Sequence, residues 1–244
     1  MTQDPELTGG IIAAGEGRRL RRAGWTVAKP LVPIAGVPLI ELVVRNFVVA
    51  GIRSLTVILN EQGRDCADRI RRTFPELAFQ FIVKKTASSL ESFVSVVRHA
   101  AASGPMLIST VDAFCLPGDF VRFVDAARSR PSDAVVLGVT PMVADEKPLW
   151  VALDDEGRAL AIGEPAGRLV TAGLYLVPDS LRRSSPPELG RLRDYLIWLH
   201  EQGQIIFGEI IDRVVDVDRA EDIVLAEALA QPAGPRDVHQ ETVP

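Results

Sequence analysis

The sequence predicts an α/β fold with a mixed, mainly parallel sheet flanked by helices on both sides. Short apolar runs alternate with helix-length amphipathic segments from Gly10 to Thr110. Among them Leu55–Leu59 (LTVIL) reads as a continuous apolar strand, as a parallel sheet covered on both faces requires. Beyond residue 130 the runs crowd together and are joined by turn residues, which adds antiparallel strands.

Taken in order, Gly10–Ala14 is a strand that runs into a Gly- and Arg-rich loop, Gly15–Lys29. Pro38–Ala50 is a buried helix, opened by Pro and stopped by Gly51. Leu55–Leu59 is the next strand, Cys66–Phe74 a surface helix and Phe79–Val83 a third strand. Ser88 opens a helix with capping-box spacing to Glu91, and Leu90, Phe93, Val94, Val97 and Ala101 share one face. Met106–Thr110 is a fourth strand. Ala134–Val139, Leu149–Leu153, Ala159–Ile162 and Leu169–Val177 are further strands, with Asp154–Gly157 as a turn. Helices follow around Ser180–Arg183 and Leu189–His200, then a strand over Ile205–Ile211. A final helix covers Asp218–Ala230, with Asp218 as N-cap and Glu221 three residues on.

With 244 residues, 47% hydrophobic and 24% charged, the chain has the composition of a soluble globular protein of one large domain. That domain is expected over residues 9–230, between mobile ends at 1–8 and 231–244. The net charge of −5 and the absence of a long basic stripe argue against nucleic acid as a partner. Cys66 and Cys115 are far apart, without the spacing of a metal site or a disulfide framework. The polar, acidic start is unlike a secretory signal, and the apolar runs fall short of the ~18 residues of a membrane span, so the expected compartment is the cytoplasm. Oligomeric state is not legible.

The segment that carries chemistry is Ala13-Ala14-Gly15-Glu16-Gly17-Arg18-Arg19-Leu20, followed by Lys29-Pro30. A strand running into spaced glycines lets backbone N–H groups converge on an anion. Arg grips phosphate oxygens bidentately and Lys adds a compact charge. The G-x-x-x-x-G-K-[ST] P-loop is absent. The dinucleotide G-x-G-x-x-G fails at Leu20 and lacks its acidic partner, the nearest candidate, Glu61, lying too late. The bland alternative is a Gly-rich turn with solvated charges.

Residues 10–31, GIIAAGEGRRLRRAGWTVAKPL, resemble the signature of the nucleoside-triphosphate transferase family, the sugar-1-phosphate nucleotidylyltransferases and their MobA-like relatives. Pro33–Ile40 is similar to the family's P-x-x-G-x-P-L-I segment, Thr86–Leu90 to its base-contacting loop, and Thr110-Val111-Asp112 to its metal-binding strand end. Thr171–Tyr175 is similar to its N-A-G-I-Y strand, with Thr for Asn, and Asp216–Ile223 to its D-V-x-T-P-E-D-L closure. The lysine the family often carries beside Glu-Pro is absent from Glu164-Pro165-Ala166-Gly167-Arg168.

The resemblance implies a nucleotide-diphospho-sugar transferase-like, Rossmann-type fold and a Mg²⁺-dependent transfer of a nucleoside monophosphate to a phosphorylated acceptor, most simply a sugar 1-phosphate. Ala13, Ala14, Gly15, Gly17, Arg18, Arg19, Lys29, Thr86, Ser88 and Ser89 are then the nucleotide-binding residues. Arg19 would neutralise the leaving phosphates and Lys29 the α-phosphate, with Asp112 completing the catalytic set. Mg²⁺ falls to Asp112 with Asp216 or Asp218; Asp218 also has the N-cap role read above, and Ser88 and Ser89 have the bland role of a helix cap. The N-terminal half would then bind the nucleotide and the C-terminal half the acceptor; Glu164, Arg168 and Thr171 are acceptor-side candidates, with Lys85, Glu164 and Arg168 also open to the nucleotide side. Two alternatives stay open: cytidylyl-type transfer to a non-sugar phosphate ester, and a nucleotide-binding module without turnover.

Overall fold

The computed structural model describes residues 6–100, 103–143, 147–163 and 167–231. Its elements are β1 (Thr8–Ala13), α1 (Arg18–Arg22), β2 (Pro33–Ile34), β3 (Val37–Pro38), α2 (Leu39–Val49), β4 (Ser54–Leu59), α3 (Arg64–Thr73), β5 (Ala78–Val83), α4 (Ser89–His99) and β6 (Met106–Thr110). There follow β7 (Ala113–Cys115), α5 (Pro117–Arg128), β8 (Val135–Thr140), β9 (Trp150–Leu153), β10 (Ala159–Gly163) and β11 (Leu169–Val177). The last are α6 (Asp179–Arg183), α7 (Leu192–Glu201), β12 (Ile206–Ile210), β13 (Val214–Asp216) and α8 (Ala220–Ala230).

The predicted mixed sheet is present, with nine strands. On one side β5, β4, β1 and β6 run parallel, β1 sitting between β4 and β6. Strand β11 then pairs antiparallel with β6 along Leu174–Val177, and with β8 on its other edge. The first residues of β11 pair instead with β9, on the edge that β6 takes later. The switch falls at a register break between Thr171 and Tyr175. Gly173 sits in that break at φ +73°, and a Cβ there would lie 2.5 Å from Thr110 Oγ1 and 2.8 Å from Ala113 Cβ. Only glycine meets both the left-handed backbone and the close approach.

Strand side chains alternate between two apolar layers. Ile11, Leu55, Val57 and Leu107 pack with Val43, Phe47, Ile70 and Phe120, from α2, α3 and α5. Ile58, Met106 and Ile108 pack with Phe93, Val96, Tyr195 and Leu196, from α4 and α7. Helices thus cover both faces, and the C-terminal ends of β1, β4 and β6 open on one rim, where open α/β sheets bind ligands.

Several elements depart from the sequence reading. Residues 117–128, assigned no element above, form α5; Phe120, Phe123, Val124 and Ala127 are buried at helical spacing behind an N-terminal Pro. The Gly–Arg loop contains the short helix α1. Leu7 is buried and β1 begins at Thr8, so order starts earlier than residue 9. The last helix begins at Ala220 with Arg219 as its N-cap. Asp218 is therefore not the cap: the carboxylate of Asp222 accepts from the N–H groups of Asp218 (2.9 Å) and Arg219 (2.7 Å). Among the described residues, no helix is long and apolar enough to cross a membrane.

Candidate active site

The site gathers on the rim where β1 and β6 end. After β1 the chain turns through Gly15–Gly17. Gly17 has φ +59°, and a Cβ on it would sit 3.0 Å from Lys29 Cβ, so the loop lies close against Lys29. Lys29 opens a 3-10 turn held by Pro30, and its side chain is 5% exposed.

Its ammonium is 2.7 Å from Asp112 Oδ2 and also donates to Asp218 Oδ1. Arg19 Nη1 donates to the other oxygen of Asp218 at 2.5 Å. Burial works against the charged lysine, but the carboxylates of Asp112, Asp218 and Asp216 outweigh it and raise its pKa above the usual lysine range. Burial likewise disfavours the Asp112 carboxylate; Lys29 and a hydrogen bond from Thr110 reverse that and hold its pKa below the ordinary value.

A small two-stranded sheet supplies the third carboxylate. Strand β13 pairs antiparallel with β7 and places Asp216 opposite Ala113, beside Asp112. The backbone carbonyl of Asp112 accepts from Val217 N at 3.0 Å and ties the two segments together. Asp112, Asp216 and Asp218 each offer an oxygen, and these lie within 4.8 Å of one another. An all-carboxylate donor set fits a hard divalent cation such as Mg²⁺.

Two cavities meet here. The larger, about 760 Å³, is walled by Ala14–Arg19, Lys29, Asn60–Gln62, Lys85–Ser89, Asp112 and Asp218. The smaller, about 260 Å³, lies at the β11 register break and is lined by Thr171, Tyr175, Arg191, Arg193, Leu149 and Asp216 among others. Ser89, Thr110 and Asp112 line both.

The residues expected at the nucleotide largely converge. Ala14, Gly15, Gly17, Arg18, Arg19, Lys29, Thr86, Ser88 and Ser89 all line the larger cleft. Ala13 does not: strand alternation turns it into the core, 1% exposed, and Ile12 takes the cleft side. Ser88 Oγ accepts from Glu91 N at 3.1 Å, so it does cap α4. The Glu91 carboxylate reaches Ala87 N at 2.6 Å, one residue before the position a capping box uses. Ser89 Oγ accepts from Leu192 N at 3.0 Å and joins α4 to α7. Arg18 pairs with Glu16 at 2.6 Å in solvent.

Of the acceptor-side candidates, Thr171 lines the smaller pocket, whereas Arg168 is exposed and lines neither cavity. Glu164 lies outside the described residues. Sequence reasoning missed Arg191 and Arg193, which open α7 at the pocket, because no motif marks them. It also missed Asn60, which follows β4 on the wall of the larger cleft.

A Rossmann-type sheet with a cleft at its strand ends, walled by Arg18, Arg19, Lys29 and Lys85, and a carboxylate cluster alongside is an architecture suited to a nucleotidyltransferase. The sequence profile of the MobA-like NTP transferase domain matches residues 9–165, and the chain belongs to that family. Glucose-1-phosphate thymidylyltransferase of Actinoplanes sp. is 28% identical over 197 residues, covering 76% of this chain and 64% of that protein. Low-salt glycan biosynthesis nucleotidyltransferase Agl11 of Haloferax volcanii is 26% identical over 241 residues, covering 91% and 66%. The chain thus spans about two thirds of the length of these relatives. Among solved structures, the inositol-1-phosphate CTP transferase from T. maritima superposes with a TM-score of 0.76 at 17% identity, covering 95% of this chain and 99% of that one. At that identity the likeness concerns the fold.

Proposed function

We propose that the protein transfers a nucleoside monophosphate from a nucleoside triphosphate to a phosphorylated acceptor, a sugar 1-phosphate in the first instance, and releases pyrophosphate. Residues 9–230 would act as one transferase unit. The observation that carries this reading is the burial of Lys29 against Asp112 and Asp218, with Arg19 on the same carboxylate, where the two cavities meet.

An oxygen of the acceptor phosphate attacks the α-phosphorus; that P–O bond forms as the bond to the β-phosphate oxygen breaks. The acceptor phosphate is already ionised near neutral pH, so no side chain has to take a proton. The residues have to position two anions in line and neutralise the charge that develops. Lys29, on the wall of the larger cleft beside Asp112, would neutralise the α-phosphate, and Arg19, on the same wall, would neutralise the departing phosphates. Mg²⁺ would be held by Asp112 with Asp216, Asp218 or both, and would supply further neutralisation of the triphosphate. Lys29 and Arg19 now neutralise the carboxylates, so a bound cation would free them to face phosphate oxygens.

The acceptor would occupy the smaller pocket. Its wall of Met142, Leu149, Val170 and Leu196 also favours a second reading, in which the acceptor is a less hydroxylated phosphate ester.

Pyrophosphate release is the test, measured with Mg²⁺ for each nucleoside triphosphate against sugar 1-phosphates and simple alcohol phosphates. Release with one class of acceptor selects between the two readings. Tight triphosphate binding with no release for any pair rejects transfer in favour of a binding module. Asp112→Asn is expected to lower turnover by about 100-fold or more while the protein stays folded; near-normal turnover would remove Asp112 from the metal set.

A further inference from the structure

Asn60 follows β4 and is buried, yet its side chain spends every polar atom on loop backbone. Its Nδ2 donates to the carbonyls of Ala14 (3.2 Å) and Gly15 (3.1 Å), and its Oδ1 accepts from Gly63 N at 2.9 Å. Two carbonyls need a donor and an N–H needs an acceptor, so these partners fix which end of the amide is nitrogen.

A trans peptide points its C=O and N–H to opposite sides. With the Ala14 and Gly15 carbonyls turned toward Asn60, the N–H groups of Gly15 and Glu16 are turned away from it. Among the described residues, neither N–H donates to a protein acceptor. A Cβ added to Gly15 would meet nothing within 4 Å, so the space beside this turn is open. Gly15, Glu16 and Asn60 all line the larger cleft.

We infer that Asn60 is a positioning residue for the nucleotide: it holds the Gly15 turn so that two backbone donors face an incoming nucleoside triphosphate. The inference rests on the proposed nucleotide site and adds to it a residue from a different strand. The Gly loop has few side chains of its own to set its peptide planes, and Asn60 sets two of them from outside. It touches no reacting atom in this role.

The test measures binding of ATP, GTP, CTP, UTP and dTTP with Mg²⁺, without acceptor, by titration calorimetry, for the wild type, Asn60→Ala and Asn60→Ser. For the triphosphate that the wild type binds, Asn60→Ala is expected to weaken affinity about tenfold to a hundredfold. Asn60→Ser, which keeps one short donor, should lie between the two. In turnover the KM for the triphosphate should rise while that for the acceptor holds. A merely structural Asn60 would lower the melting temperature and leave triphosphate affinity within twofold, and that result overturns the inference. Should Asn60→Ala fail to fold, Asn60→Ser decides by the same criterion. A wild type that binds none of the five triphosphates overturns the nucleotide site itself, an outcome distinct from equal binding by wild type and variants.

Discussion

The larger cleft and the smaller pocket share Ser89, Thr110 and Asp112, but they draw their other walls from different kinds of segment. The cleft is built at the ends of parallel strands, from loops that directly follow β1, β4 and β5, and its walls carry Arg18, Arg19, Lys29 and Lys85. The pocket is built where β11 leaves β6 for β9, from Ala113 and residues scattered between Thr140 and Asp216, among them Met142, Leu149, Val170 and Leu196. A phosphate chain is recognised by charge and main-chain donors that one continuous loop can supply. A small acceptor needs a shaped enclosure, and enclosure takes several distant segments.

Lys29→Met should have the largest effect, because Lys29 lines the larger cleft and its ammonium bonds Asp112, which lines both cavities. It removes the cation between Asp112 and Asp218 and leaves their carboxylates facing each other. Pyrophosphate release is expected to fall about 1,000-fold. Stability should drop by about 2 kcal/mol, less than for a fully buried pair because Asp218 is one-third exposed. Urea titration reads the second effect, and unchanged turnover would detach Lys29 from the reaction.

Gly173→Ala strikes the junction rather than either wall. The positive φ and the 2.5 Å approach to Thr110 Oγ1 should cost about 2 kcal/mol, a Tm lower by about 4–8 °C. Because Thr110 lines both cavities, the KM values for both substrates should rise together; a shift in only one would mean that the break shapes a single cavity.

Arg193→Ala sharpens the contrast. The Arg193 guanidinium donates to the Lys147 carbonyl at the pocket mouth. Its loss should raise the acceptor KM about tenfold and leave the triphosphate KM in place. The reverse pattern would exchange the assignments of the two cavities.

The smallest effect belongs to the cysteines, which lie in the core away from both cavities. Burial pushes the Cys66 thiol up to about 11 and the Cys115 thiol up to about 12. At pH 8 neither should react with a thiol-specific disulfide reagent until the protein is unfolded. The sign follows from the raised values. Both thiols favour the folded state below the unfolded thiol pKa of about 8.5, and that contribution is lost as pH rises toward their folded pKa values. Rapid labelling of the native protein would contradict this burial.

The larger cleft was legible because its determinants are local. Gly15, Gly17, Arg19 and Lys29 lie within one stretch, and a strand before a glycine loop restricts where the backbone can go. Strand alternation could also have excluded Ala13, whose neighbours in the pattern point to the core. The buried face of α5 is equally legible in the spacing of Phe120, Phe123, Val124 and Ala127. Asp218 is different in kind. Its sequence context as an N-cap is sound, yet Lys29 and Arg19 hold its carboxylate, and Asp222 takes over the backbone N–H groups. Local propensity yielded to a charge contact between residues 189 positions apart.

From residue order alone come the α/β class, the parallel N-terminal half, the phosphate-suited loop and the family to which the chain belongs. These depend on periodicity and short-range spacing, which a linear sequence records directly. Tertiary structure decided that Asp216 stands beside Asp112 through the β7–β13 pairing, that Arg191 and Arg193 line the smaller pocket, and that Asn60 braces the Gly15 turn. Each of these joins segments far apart in the chain, and only packing the sheet brings them within reach of one another.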